Sequence, residues 1–179
     1  MLSLYLTMLE TSEERNKFEV LYQLHKRTML YVAKGVLKDD YLAEDAVHEA
    51  FIRVINHFVK IGEPNSPQTR YFLIVIVRNI SLTMLEKQKK TVLFEDLEPL
   101  GGIQADLEDK VFDTIECQKI VNAMEELPVQ FRDVLYLRYV EEYKFSEIAP
   151  LLGLNQEIVK KRAQRGQKKL LELLGNKGE

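Results

Sequence analysis

The stretch Phe145-Ser146-Glu147-Ile148-Ala149-Pro150-Leu151-Leu152-Gly153-Leu154-Asn155-Gln156-Glu157-Ile158-Val159 has the spacing of two short helices joined by a tight turn. Each residue type has a physical reason. Ala149 falls where the two helices touch, so its side chain must be small. Gly153 falls at the turn, where a positive φ is needed. Leu154 and Val159 are expected to fill the gap between the helices, with Ile148 and Leu152 facing a supporting helix. Ser146 can cap the first helix and Asn155 the second. Pro150 is the discordant residue, because it cannot donate to the Ser146 carbonyl and an interior Pro costs about 3 kcal/mol. Either the first helix is short enough to tolerate it, or that helix is distorted.

The second helix of this pair is strongly basic. Between Ile158 and Leu170 lie Lys160, Lys161, Arg162, Arg165, Lys168 and Lys169, with no acidic residue among them. A lone basic cluster is as well explained by a solvated helix face. On the second helix of a helix-turn-helix it falls where a recognition helix meets phosphates and base edges. The competing reading is a helix-turn-helix used only for packing or protein contacts.

Moving outward, charge divides the chain. Residues 1–90 carry 13 basic against 11 acidic residues, residues 91–118 carry 1 against 8, and residues 119–179 carry 11 against 9. The overall net charge of −3 therefore conceals two slightly basic ends around an acidic middle, and it does not exclude a nucleic-acid partner. The middle holds Pro99, Gly101 and Gly102 and breaks the helical pattern. It reads as a linker extended by self-repulsion.

The remainder is helical in period. Ser12 to Leu37 places Phe18, Leu21, Met29, Val32 and Val36 on one face, with Thr11 or Ser12 able to cap it. From about Tyr41 to Val59 the stripe is Val47, Ala50, Phe51, Val54, Ile55 and Phe58, a narrow apolar face on a charged helix. Lys60 to Ser66 is a loop, and Ser66-Pro67 supplies a cap followed by Pro at the first helical position. The helix from Pro67 to Lys89 is apolar on most sides through Val77, as a central buried helix would be. Phe72 to Val77 alone could be a buried strand, but no second strand is available to pair with it. After the linker, one helix runs to about Glu126 and another from Pro128 to about Glu141. The expected fold class is all-α: two small helical domains, 1–90 and 109–179, joined by an acidic flexible linker at 91–108, with a helix-turn-helix in the second.

Composition removes several function classes. The single Cys117 cannot form a disulfide framework or a Cys-cluster metal site. Eight Gly and five Pro leave no Gly-rich phosphate loop. The longest apolar run, Phe72 to Val77, is far short of the roughly 18 residues that suggest a membrane span. The apolar start Met1-Leu2-Ser3-Leu4-Tyr5-Leu6 has no basic residue ahead of it, so it is not read as a signal peptide, and a soluble cytoplasmic protein without membrane insertion is expected. His48-Glu49 could open a zinc-protease motif, but the second His position is Ile52. His25, His48 and His57 are the only histidines, and nothing places them in a catalytic triad. No enzyme, metal or cofactor is expected.

Leu127-Pro128, Phe131-Arg132-Asp133-Val134-Leu135, Leu137-Arg138-Tyr139, Ser146-Glu147-Ile148-Ala149, Leu152-Gly153 and Val159-Lys160-Lys161-Arg162 are similar to the second domain of bacterial RNA polymerase sigma factors of the extracytoplasmic-function type. Ala43 to Phe51 resembles the polymerase-binding helix of that family, and Arg78-Asn79-Ile80 a turn of its promoter-melting helix. The resemblance spans about Phe18 to Leu174. It implies that Asp45, His48, Glu49, Phe51 and Arg53 dock on the clamp helices of the polymerase β′ subunit. It further implies that Asn65, Arg70, Tyr71, Arg78, Asn79, Lys87, Lys89 and Lys90 meet the minus-ten promoter element as it opens. Aromatic faces and basic grooves suit single-stranded bases; the alternative for Tyr71 and Phe72 is ordinary core packing, which is the favoured reading for Phe72. Gln156, Glu157, Lys160, Lys161, Arg162, Gln164 and Arg165 would read the minus-thirty-five element in the major groove. An anti-sigma partner is also implied. The chain departs from the family at His48, where Gln is usual, at Phe72, where Trp is usual, and at Asn155 to Ile158, which replace a small polar run.

The expected function is a dissociable initiation factor that binds core polymerase and both double-stranded and melted promoter DNA. The rivals are a helix-turn-helix regulator that never binds core polymerase, and a helical interaction protein.

Overall fold

The computed structural model describes residues 1–89 and 115–176, and every regular element among them is helical. Lys90 and the acidic stretch at 91–108 lie outside the described residues. The chain divides into two compact units, 1–105 and 106–179.

The first unit begins with a short helix, α1 (Leu2–Thr7), ahead of α2 (Ser12–Leu37). Thr11 starts α2 with a reciprocal cap: the Glu14 N–H donates to Thr11 Oγ1, and the Thr11 N–H donates to Glu14 Oε2, both at 3.1 Å. Lys38 closes α2 in the left-handed conformation at φ 56°. Asp39 then caps α3 (Asp40–Ile55), its Oδ1 accepting from the Leu42 N–H at 2.9 Å. The expected continuation of α3 to Val59 does not occur. The helix stops at Ile55, and a tight turn over Phe58–Lys60 drives Phe58 into the core while leaving Val59 90% exposed. Ser66 Oγ accepts from the Thr69 N–H at 3.1 Å and starts α4 (Pro67–Lys89) with Pro at its first position.

Helices α2, α3 and α4 pack against one another, and α1 closes on α2 and α3. Every residue of α4 from Tyr71 to Ser81 is buried, so Phe72 to Val77 is the central helix and not a strand. Around Phe18 and Phe51, both 0% exposed, gather the rings of Tyr5, Tyr22 and Phe58 at centroid distances of 5.1–6.4 Å. Such ring pairs add attraction beyond the burial of apolar area.

The second unit contains α5 (Ile115–Glu125), α6 (Val129–Leu135), α7 (Phe145–Leu152) and α8 (Gln156–Asn176). The expected single helix from Pro128 to Glu141 is interrupted. After Leu135 the backbone widens into a π-helical turn over Tyr136–Val140, closed by the Glu141 N–H on the Tyr136 carbonyl at 3.1 Å. Helices α5, α6 and α7 all pack on α8. Gly166 permits the approach of α6: a Cβ built there would lie 3.1 Å from both Phe131 Cβ and Leu135 Cδ1. Phe131 Cβ is fixed to its own backbone and cannot rotate away. Gly166→Ala is therefore expected to destabilise the second unit by about 1–2 kcal/mol, the overpacking outweighing a helix-propensity gain of about 1 kcal/mol. A thermal midpoint that rises in the variant would contradict this.

Candidate nucleic-acid interface

The turn between α7 and α8 forms as the residues demand. Gly153 has φ 66°, the Leu154 N–H donates to the Ala149 carbonyl at 2.9 Å, and the Gly153 N–H donates to the Pro150 carbonyl at 3.3 Å. These two bonds satisfy the Ala149 and Pro150 carbonyls in the last turn of α7. Pro150 does not break the helix. Pro150 and Ser146 are both exposed, so the missing donor falls on the solvent side of a helix only eight residues long. Ser146 is not the cap of α7. The helix starts at Phe145, and the Lys144 N–H donates to Glu147 Oε2 at 2.8 Å, which leaves Ser146 inside the first turn. Asn155 does cap α8, its Oδ1 accepting from the Glu157 N–H at 2.8 Å.

Val159, Ala163 and Gly166 face inward on α8. That rotation places Gln156, Lys160 and Gln164 in one exposed row and Glu157, Lys161, Arg165 and Lys168 in the next. Arg162, on the flank, is half-buried. Ile158 is an exposed apolar residue in the first turn, 44% accessible, and sequence pattern alone does not single it out. Behind the helix, Gln167 Nε2 donates to the exposed Tyr139 hydroxyl, and the Arg138 guanidinium lies 5.2 Å from the Phe145 ring centroid.

In the first unit, α3 turns Asp45 to solvent and leaves His48, Glu49 and Arg53 half-buried. Arg53 Nε donates to Glu49 Oε1 at 2.9 Å, an i,i+4 ion pair at a partly exposed site. Phe51 differs from the expectation: it sits wholly in the aromatic core, because it lies on the face of α3 that meets α1 and α2. His48 Nδ1 lies 2.6 Å from the hydroxyl of Tyr5 on α1. Burial, and then the neighbouring Tyr22, push the Tyr5 phenol up to about 12, so it stays protonated at neutral pH. Tyr5 was not legible as part of this region, since α1 has no amphipathic run long enough to mark it.

Of the residues expected at the minus-ten element, Asn65, Arg70, Lys87 and Lys89 are exposed. Tyr71, Arg78 and Asn79 are instead buried, because α4 is the inner helix of its unit. The Asn79 amide nitrogen donates to the Val75 carbonyl at 2.8 Å. The loop before α4 is tied down through its carbonyls. Lys17 Nζ donates to Ile61 O, Thr69 Oγ1 donates to Glu63 O at 2.8 Å, and His25 Nε2 lies 2.7 Å from Pro64 O.

Burial holds His25 below its ordinary pKa of 6.5, and the nearby Arg70 guanidinium adds to that, although the bond to Pro64 opposes it. The unfolded chain therefore takes up a proton before the folded one does. His25 contributes stability that is complete above about pH 6.5 and is lost as pH falls towards its folded value. Unfolding at pH 7.5 and at pH 5 is expected to show a weaker first unit in acid, and His25→Gln should flatten that dependence.

The chain matches the sigma-70 region 2 model over residues 21–91 and the sigma-70 region 4 model over residues 117–170. It is also similar, at 24% identity over 159 residues, to the ECF RNA polymerase sigma factor SigM of Bacillus subtilis, covering 88% of this chain and 94% of that protein. The chain belongs to the extracytoplasmic-function sigma factors. Other relatives of this sigma factor are SigV of Bacillus subtilis, 27% identical with 80% and 82% of the two chains covered, and CarQ of Myxococcus xanthus, 26% identical with 90% and 91% covered. A solved structure, the sigma factor RpoE bound to the anti-sigma factor NepR from Bartonella quintana, aligns at 17% identity and TM-score 0.39, over 88% of this sigma factor and 96% of that chain. Sigma factors are transcription initiation factors, and this one is an RNA polymerase sigma factor. No helix among its described residues is long and apolar enough to cross a membrane.

Proposed function

We propose that this sigma factor recruits core polymerase through the outer face of α3 and holds the promoter through both units. Asp45, His48, Glu49 and Arg53 form the docking face for the β′ clamp helices. Their mixed charges stand opposite an apolar stripe, as suits a helix with core on one side and a partner on the other. Asn65, Arg70, Lys87 and Lys89, with Lys90, receive the opened non-template strand, and buried Tyr71, Arg78 and Asn79 support them from inside α4. The observation that carries the reading is the outward basic rows of α8 behind a capped N-terminus. Lys160, Lys161 and Arg165 contact phosphates of the minus-thirty-five element. Gln156, Glu157 and Gln164 are within the reading set for base edges, where Glu157 can accept from a cytosine amino group and Ile158 can pack on a thymine methyl.

No bond is made or broken by the sigma factor itself. It favours strand opening by binding the open promoter better than the closed one. It acts in the cytoplasm with the polymerase, and an anti-sigma protein that sequesters it is a further expected partner, testable by co-purification. The decisive experiment is run-off transcription with purified core polymerase. A promoter-specific transcript that depends on the added protein supports the reading. Duplex binding with no core binding would instead indicate a regulator acting without the polymerase.

A further inference from the structure

We propose that His25 is a positioning residue for capture of the opened strand: from α2 it fixes the Pro64 carbonyl and, with it, the peptide plane that presents Asn65. This rests on the reading that the loop before α4 receives that strand. His25 Nε2 lies 2.7 Å from Pro64 O at a buried site, and the two residues are 39 apart in sequence. A peptide unit is planar, so a bond that holds the Pro64 carbonyl also holds the Asn65 nitrogen and limits the swing of its Cα. Pro64 is itself buried, while Asn65 is exposed immediately after it. The same loop is held at Ile61 by Lys17 and at Glu63 by Thr69. Three inward carbonyls thus leave Gly62, Glu63 and Asn65 facing outward on a backbone whose path is set from behind.

A loop ordered before it meets its ligand spends less binding free energy on ordering when it binds. Neutral His25 with its proton on Nε2 supplies the donor that this carbonyl needs. Gln can place an N–H near the same point. Leu occupies similar space but donates nothing.

The test uses the full chain assembled with core polymerase on a promoter that it transcribes. Three quantities are measured: affinity for core, occupancy of the closed promoter, and thymine reactivity to permanganate at the minus-ten element as the readout of opening. His25→Leu is expected to reduce opening by about two- to ten-fold, the range of one lost hydrogen bond, with core affinity near that of the parent and the chain still folded at the assay temperature, although its thermal midpoint falls because the buried Pro64 carbonyl loses its donor. His25→Gln is expected to restore most of it. Opening that is unchanged in His25→Leu overturns the proposal. So does a loss shared equally by Leu and Gln variants and accompanied by loss of core binding, which marks a merely structural residue. Asn65→Ala and Arg70→Ala serve as separate controls. If both leave opening unchanged, the assignment of the loop to the strand fails, independently of His25.

Discussion

Replacing Phe51 with alanine is expected to destabilise the first unit by about 3–5 kcal/mol, the usual cost of removing a buried aromatic ring. Phe51 is 0% exposed and touches the rings of Tyr5, Phe18 and Tyr22, whose own positions depend on it. A domain with a total stability of about 5–15 kcal/mol loses a large share of it in one step. The chain has no Trp, so unfolding is followed by far-ultraviolet circular dichroism or tyrosine emission. Binding to core polymerase should fall in parallel with the folded fraction. Asp45→Ala makes the contrast. Its side chain is exposed, so the fold should be unchanged while core affinity drops. Were Phe51→Ala to lose polymerase binding while fully folded, the residue would be a direct contact after all.

Replacing Lys160, Lys161 and Arg165 together with alanine is expected to weaken duplex binding on the order of a hundred-fold at 0.15 M salt. Each phosphate contact contributes about 0.9 to the slope of log K against log salt, which amounts to about five-fold per contact at that concentration. The slope itself should fall by nearly three. All three side chains are exposed, and alanine favours helix, so α8 should remain folded. Binding measured between 50 and 300 mM salt tests this directly. An unchanged slope would place these cations away from phosphate.

Much of this architecture was legible because it rests on local chemistry. Thr11 with Glu14, Ser66 with Pro67, and Asn155 ahead of Gln156 are start signals made by residues that touch their immediate neighbours. Gly153 was legible for the same reason: one turn demands one backbone conformation. The stripe from Val47 to Phe58 identified the buried face of α3, although its last member enters the core from a separate turn. Depth was harder to read. Periodicity says which side of a helix faces inward, but not how many neighbours close over it. The resemblance assigned Phe51, Tyr71, Arg78 and Asn79 to partners, although Phe51 lies on the inward stripe, and all four are enclosed. The widened turn after Leu135 leaves no mark on the apolar spacing, and α7 starts at Phe145 because the Lys144 N–H finds the Glu147 carboxylate, a local pairing that competes with a Ser146 cap. Contacts between residues far apart in sequence, such as His25 with Pro64, carry no sequence signal at all.

Helix α1 lies ahead of the segment that matches region 2, yet it contributes one wall of the aromatic cluster and the hydroxyl that orients His48. A minimal fragment trimmed to begin at residue 21 would lose Tyr5 and Phe18 together and bare the rings of Tyr22 and Phe51 to water. Such a fragment would be sticky and poorly soluble, and failed pull-downs with it would say nothing about the intact factor. A purification tag fused ahead of α1 would abut the very helix that carries this phenol.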